Sequence, residues 1–279
     1  MATVTHPAIE PVTVTVFDGD QALAQPDFLA VEEPLEIRVE YGPETGRITK
    51  ALSITMRTPG ADEDLVRGFL LTESIVRHVS EIQSVAQISE NVVLARLDAG
   101  ALFDLARLDR HFYTSSSCGV CGKTSIDAVQ HAGQCTPISL KNSILRSNIL
   151  CTLPDTLRRS QETFERTGGL HAAALFNWNG ELLALREDVG RHNALDKLIG
   201  HFAYNKGSFD GTILLLSGRA SFELLQKAAI AGIPVVCAVG APSSLAVATA
   251  RSFGIALIGF LRGQRFNLYT KPEHLEIGL

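Results

Sequence analysis

No stretch of this sequence is apolar for long enough to cross a bilayer. Its apolar runs, such as Ile255-Ala256-Leu257-Ile258 between Gly254 and Gly259, fall far short of the about 20 residues that a spanning helix needs. An excess of one charge is also missing: 25 Lys and Arg stand against 30 Asp and Glu, a formal charge of −5. Such a balance excludes bulk attraction to nucleic acid or an anionic membrane, so any anion must be met by a local basic cluster. Met1 to Phe17 show no basic region followed by an apolar one, so no secretory leader is expected and the cytoplasm is the expected compartment. Cysteine is scarce, with five in 279 residues. In a cytoplasmic chain these read as metal ligands, reactive thiols or buried apolar residues rather than a disulfide framework.

What is present is a globular composition, 46% hydrophobic and 20% charged. Residues 1–30 carry scattered Pro, Asp and Gly and are expected to form a loose arm. Residues 31–113 read as a smaller N-terminal α+β domain. Leu35 to Tyr41 and Ile48 to Thr58 alternate as strands, and Asp62 stands ready to cap a helix with Leu65, Val66, Phe69 and Leu70 on one face. Short strands are expected near Ile82 to Ile88 and Val92 to Leu97. Residues 114–124, rich in Ser, Thr and Gly, read as a mobile loop.

Residues 125–279 carry a clearer rhythm. A helix is predicted over Asp155 to Arg166, then a hairpin around Asn177-Trp178-Asn179-Gly180. Helices over Arg191 to Phe202, Phe222 to Ile230 and Leu245 to Ser252 alternate with apolar strands at Thr212 to Leu216, Val235 to Val239 and, last, Ile255 to Phe260. This predicts an α/β layered architecture with a mostly parallel sheet. The order is also that of the cytidine-deaminase fold, a three-layer core. Zinc deaminases carry H-x-E at the second helix and P-C-x-x-C at the third. Here the third helix opens with Ser217-Gly218-Arg219-Ala220-Ser221, and Arg191-His192-Asn193-Ala194 lacks the H-x-E pattern. Deaminase chemistry is therefore not expected.

The loop holds Ser117-Cys118-Gly119-Val120-Cys121-Gly122. A C-x-x-C pair serves as half a zinc site, a dithiol redox centre or a reactive pair that handles sulfur. Zinc needs four ligands, and the remaining candidates, His131, Cys135 and Cys151, are scattered singly. A thioredoxin-like dithiol should follow a strand and open a helix, whereas this pair lies in Ser/Gly-rich sequence. Lys123 beside it favours the thiolate, the form that attacks sulfur donors. The pair therefore suits a sulfur carrier, and zinc stays open on spacing alone.

Thr114 to Lys123 resembles the signature of the FdhD family, the accessory sulfurtransferases of formate dehydrogenase. So do Arg57-Thr58-Pro59-Gly60, Asp64 to Glu73, Thr167 to Ala173, Glu187 to Lys197, Ser217 to Glu223 and Gly259 to Gly263, in order from about Glu33 to the C-terminus. Ser74 and Gly240 depart from the family's usual Gly and Ser. The resemblance implies a carrier that takes persulfide sulfur from a cysteine desulfurase through Cys118 and Cys121. It passes this sulfur to the bis-molybdopterin guanine dinucleotide cofactor, with molybdenum or tungsten, before insertion into formate dehydrogenase. A deaminase-like core and a homodimer are implied too; the residues themselves give the expectation of no resident zinc, nucleic-acid partner or membrane insertion. A non-catalytic cofactor chaperone and a zinc-structured adaptor are the alternatives.

A dianionic nucleotide needs donors and cations, which in open α/β sheets gather beyond the carboxyl ends of the strands. Asp188 to His192, Ser217 to Ser221 and Gly240 to Ser244 fall there, placing His192, Arg219 and Ser221 as candidate contacts. Phe260-Leu261-Arg262-Gly263-Gln264-Arg265 follows the last expected strand and resembles the family's cofactor-binding segment, with two arginines able to grip phosphate. Blander readings stand beside these. Ser243 and Ser244 suit helix caps, Arg251 a solvated position and His171 a core or a site residue. His192 and Asp196 suit a local pair one helical turn apart, and Cys135, Cys151 and Cys237 buried structural roles.

Overall fold

A computed structural model describes residues 7–100, 143–273 and 275–278. The loop 114–124 with Cys118 and Cys121, like His131 and Cys135, lies outside the described residues.

Strands β1 (Ile9–Asp18) and β2 (Gln21–Ala30) pair antiparallel along their whole length. The expectation of a loose arm is thus corrected over these residues. Val12, Val14 and Val16 alternate with Thr13 and Thr15, a strand pattern, and Asp18-Gly19 is a hairpin signal, with Gly19 at φ 57. Next come β3 (Glu33–Tyr41), β4 (Ile48–Arg57), α1 (Asp62–Thr72), β5 (Ile82–Ser89) and β6 (Val92–Leu97). The four strands form a sheet in the order β4-β3-β6-β5. Asp62 does not cap α1: Ala61 occupies the cap position and makes no side-chain bond. The Asp62 carboxylate instead accepts from Nε and Nη2 of Arg57, each at 2.9 Å. A buried guanidinium needs that partner more than the helix end does.

The second half contains β7 (Ser143–Arg146), α2 (Ser147–Ser160), α3 (Glu162–Thr167), β8 (His171–Asn177), β9 (Leu182–Asp188), α4 (Arg191–Lys206) and β10 (Thr212–Leu216). It continues with α5 (Phe222–Ala231), β11 (Val235–Ala238), α6 (Ser244–Phe253), β12 (Ala256–Arg262), β13 (Arg265–Thr270) and β14 (Leu275–Gly278). The helix expected from Asp155 begins eight residues earlier and stops before Gln161. Pro154 lies inside it, where burial of Leu150, Leu153 and Leu157 outweighs the missing N–H. Ile255 to Phe260 is not the last strand either, since β13 and β14 follow.

The main sheet runs β13-β12-β11-β10-β8-β9. Only β10-β11 and β11-β12 are parallel neighbours; hairpins at both edges make it mixed, a correction to the mostly parallel expectation. Because β8 is antiparallel to both β9 and β10, strands β9, β10, β11 and β12 still point one way. Their carboxyl ends, and the N-termini of α4, α5 and α6, therefore meet at one edge.

Alternation along the strands builds the layers. Ala173, Leu175, Leu214, Leu216, Val236 and Leu257 face α4, α5 and α6 in one core. Ala172, Ala174, Phe176, Ile213, Leu215 and Ile258 face α2 in the other. Leu35, Ile37, Val93 and Ala95 of the four-stranded sheet belong to the first core, through α1 packed on α4. That crossing is close: a Cβ on Gly68 would overlap the Asp196 carbonyl, and one on Gly200 the Asp64 carbonyl.

Candidate functional site

The strand-end turns are tied side by side by backbone hydrogen bonds. The N–H of Ser217 donates to the Ala172 carbonyl at 3.0 Å, that of Gly240 to Gly218 at 2.9 Å, and that of Phe260 to Gly240 at 3.0 Å. Glycine is needed in this ladder, because a Cβ on Gly240 would come within 2.9 Å of the Gly218 carbonyl. A bulge between Gly259 and Arg262 ends it. Within the bulge Phe260 takes φ 53, a rare conformation for an aromatic residue, and the residue is 40% exposed.

The β9-α4 turn is fixed from below. Fully buried Asp188 accepts from the N–H groups of Thr58 (3.2 Å) and Gly190 (2.8 Å) and lies 2.7 Å from Lys197 Nζ. Lys197 also donates to the Thr58 carbonyl, and Thr58 Oγ1 accepts from the Val189 N–H. The segment Arg57-Thr58-Pro59-Gly60 is thereby clamped under Asp188 to His192.

At the rim stand His171, His192, Ser221 and Glu223. His171 opens β8 beside Gly218; burial and then the Arg191 charge push its imidazole below the ordinary value, against Asp188. His192 Nε2 is 3.9 Å from Glu223 Oε2 and, like Ser221 Oγ, is buried without a hydrogen-bond partner among the described residues. Glu223, with its side chain 21% exposed, has its carboxyl pulled down to about 2 by His192 first, against desolvation, with help from its own N–H and Ser221. The 3.9 Å separation is too long for a direct hydrogen bond, so the Glu223 oxygens keep acceptor capacity.

The expected His192–Asp196 pair is not formed. Asp196 turns to the opposite side, accepting from Thr72 Oγ1 at 2.8 Å and Lys227 Nζ at 2.9 Å. Ser243 caps α6, its Oγ accepting from the Ala246 N–H, and Arg251 is exposed. Cys151 and Cys237 are buried, and burial alone pushes the Cys237 thiol far up. Phe260 and Arg262 lie in β12, Gly263 and Gln264 in its turn to β13, and Arg265 at the start of β13. Arg262, Gly263, Gln264 and Arg265 are exposed, and Arg262 Nε donates to the Val239 carbonyl at 3.2 Å. Leu261 is fully buried. Arg219 is exposed on the neighbouring turn. Sequence reasoning missed Glu223, which reads as an ordinary acidic residue in a first helical turn. Among the described residues no three His, Cys, Asp or Glu side chains gather as a metal site.

Fold and site define a mixed α/β protein whose strand-end edge brings together arginines, imidazoles and helix N-termini. The model of the FdhD/NarQ family matches residues 30–276, and the chain belongs to that family. It is 47% identical over 270 residues to the sulfur carrier protein FdhD of Mycobacterium tuberculosis, covering 92% of this chain and 95% of the relative. It is 49% identical to the protein of that name from Streptomyces avermitilis, covering 91% and 90%. The same name is carried by a Sulfolobus acidocaldarius protein at 40% identity, covering 94% and 96%. The fold is similar to the crystal structure of a protein assigned as a formate dehydrogenase accessory protein from Desulfotalea psychrophila. That likeness has a TM-score of 0.74 at 21% identity, over 96% of this chain and all of the other.

Proposed function

We propose that this chain is a sulfur carrier for the maturation of formate dehydrogenase. The Cys118 thiolate attacks the outer sulfur of a cysteine desulfurase persulfide, forming a persulfide on Cys118 and returning the desulfurase thiolate; Cys121 assists by relay or resolution. The sulfur then passes to the bis-molybdopterin guanine dinucleotide cofactor, with molybdenum or tungsten, before insertion into the enzyme. Catalytically the protein is a sulfurtransferase, without deaminase activity and without a resident zinc.

The observation that carries the reading is the full-length match to proteins named sulfur carriers, joined to a C-x-x-C pair beside Lys123. The nucleotide end of the acceptor is assigned to the strand-end cleft: Phe260 to Arg265 first, with His192, Arg219 and Ser221 opposite. Exposed arginines beside three helix N-termini support that assignment. The sequence of hairpin, helix and alternating strands supports a cytidine-deaminase-like core. A cytoplasmic homodimer completes the proposal, with an N-terminal α+β domain over 31–113 and the α/β domain over 125–279. Intact-mass spectrometry after incubation with a desulfurase and L-cysteine tests it, because only a carrier gains sulfur atoms.

A further inference from the structure

Among the described residues the two fully buried aspartates are each neutralised by a lysine. Asp188 has Lys197 at 2.7 Å, and Asp196 has Lys227 at 2.9 Å. Glu223 has no such partner among the described residues, and its nearest basic neighbour is the His192 imidazole at 3.9 Å. It is nevertheless held ionised, and it stands at the N-terminus of α5 on the cleft edge where Arg191, Arg219 and Arg262 also stand. A carboxylate in a cleft assigned to a polyanion repels phosphate, so its place there calls for a ligand group that donates. Two further buried polar atoms beside it, His192 Nε2 and Ser221 Oγ, have no hydrogen-bond partner among the described residues. The hydroxyl of Ser221, at the cap position of α5, does not cap its own helix.

Guanine carries adjacent donors on its Watson–Crick edge, N1–H and the 2-amino group, which match the two oxygens of one carboxylate. Adenine presents an unprotonated N1 to the same position and repels it. We propose that Glu223 is the base-reading residue at this strand-end edge, accepting from N1–H and the 2-amino group of guanine, with His192 Nε2 and Ser221 Oγ beside it left to meet other polar atoms of the ligand. The inference rests on the nucleotide reading above and deepens it, since the arginines grip phosphate without regard to the base. It also gives the ionised state of Glu223 a use: a protonated carboxyl has only one good acceptor to offer.

The test is calorimetry of the purified full chain with guanosine, inosine and adenosine diphosphates. Wild type is expected to bind the guanosine form at least about ten-fold more tightly than the adenosine form, because charge-assisted bonds are lost and a donor site is left unmatched. Inosine diphosphate, which lacks the 2-amino group, falls between them. Glu223→Gln, nearly isosteric, is expected to weaken the guanosine form about ten-fold and leave the adenosine form unchanged, removing the preference. Circular dichroism of the variant checks that its fold is intact. An unchanged preference in folded Glu223→Gln, or no preference in wild type, overturns the assignment of Glu223 while leaving a nucleotide site. No binding of any of the three to wild type overturns the nucleotide reading and this inference with it.

Discussion

Lys197 Nζ lies 2.7 Å from Asp188 Oδ2, with the lysine side chain 2% and the aspartate 0% exposed. The pair joins two segments 130 residues apart, because both partners also bond the backbone of Thr58. Lys197→Met is expected to leave the Asp188 charge buried and uncompensated, lowering stability by about 3–5 kcal/mol. Urea unfolding measures this. A loss below about 1 kcal/mol contradicts the pairing. Adding Asp188→Asn to Lys197→Met should recover part of the loss, since the uncompensated charge goes.

Glycine at the α1–α4 crossing gives a second prediction. An exposed helical Gly→Ala change gains about 1 kcal/mol through helix propensity. At Gly200 the added methyl meets the Asp64 carbonyl of the facing helix, so Gly200→Ala should destabilise by about 2 kcal/mol instead. The sign of the shift in denaturation midpoint decides the matter. A stabilised variant means that the helices part freely.

The second half of the fold was the more legible in the sequence, for a physical reason. Runs such as Thr212 to Leu216 are buried on both faces, and a continuous apolar pentapeptide between turn residues has few other uses. The β1–β2 ribbon was not read because the alternation of Val12, Val14 and Val16 is confined to β1, while β2, with Pro26 and Asp27 inside it and mostly exposed side chains, carries no matching stripe. The hairpin β12–β13 was missed because a bulge at Phe260 breaks the alternation that announces a strand. In the site, the turns bearing Asp188, Ser217 and Gly240 could be placed from helix and strand order alone. The Asp188–Lys197 clamp and the turning of Asp196 away from His192 could not, because each depends on residues from distant segments, Thr58 and Lys227 among them.

The arginines of the β12–β13 turn should serve the acceptor and not the sulfur. Arg262→Ala or Arg265→Ala is expected to accept sulfur on Cys118 as wild type does. Each should bind guanosine diphosphate about one to two powers of ten more weakly, the equivalent of one charge-assisted contact. Unchanged affinity in both variants would place the phosphates elsewhere, most simply at the Asp188–His192 turn.

Sulfur loading of Cys118 is the claim on which the rest depends, and intact-mass spectrometry reads it directly. Wild type and Cys118→Ala are each incubated with a cysteine desulfurase and L-cysteine, desalted and weighed. Wild type should gain the mass of one or more sulfur atoms, removed again by reductant, and Cys118→Ala should gain none while keeping its circular dichroism spectrum. A wild-type protein that stays at its original mass, or a Cys118→Ala protein that loads fully, contradicts the account.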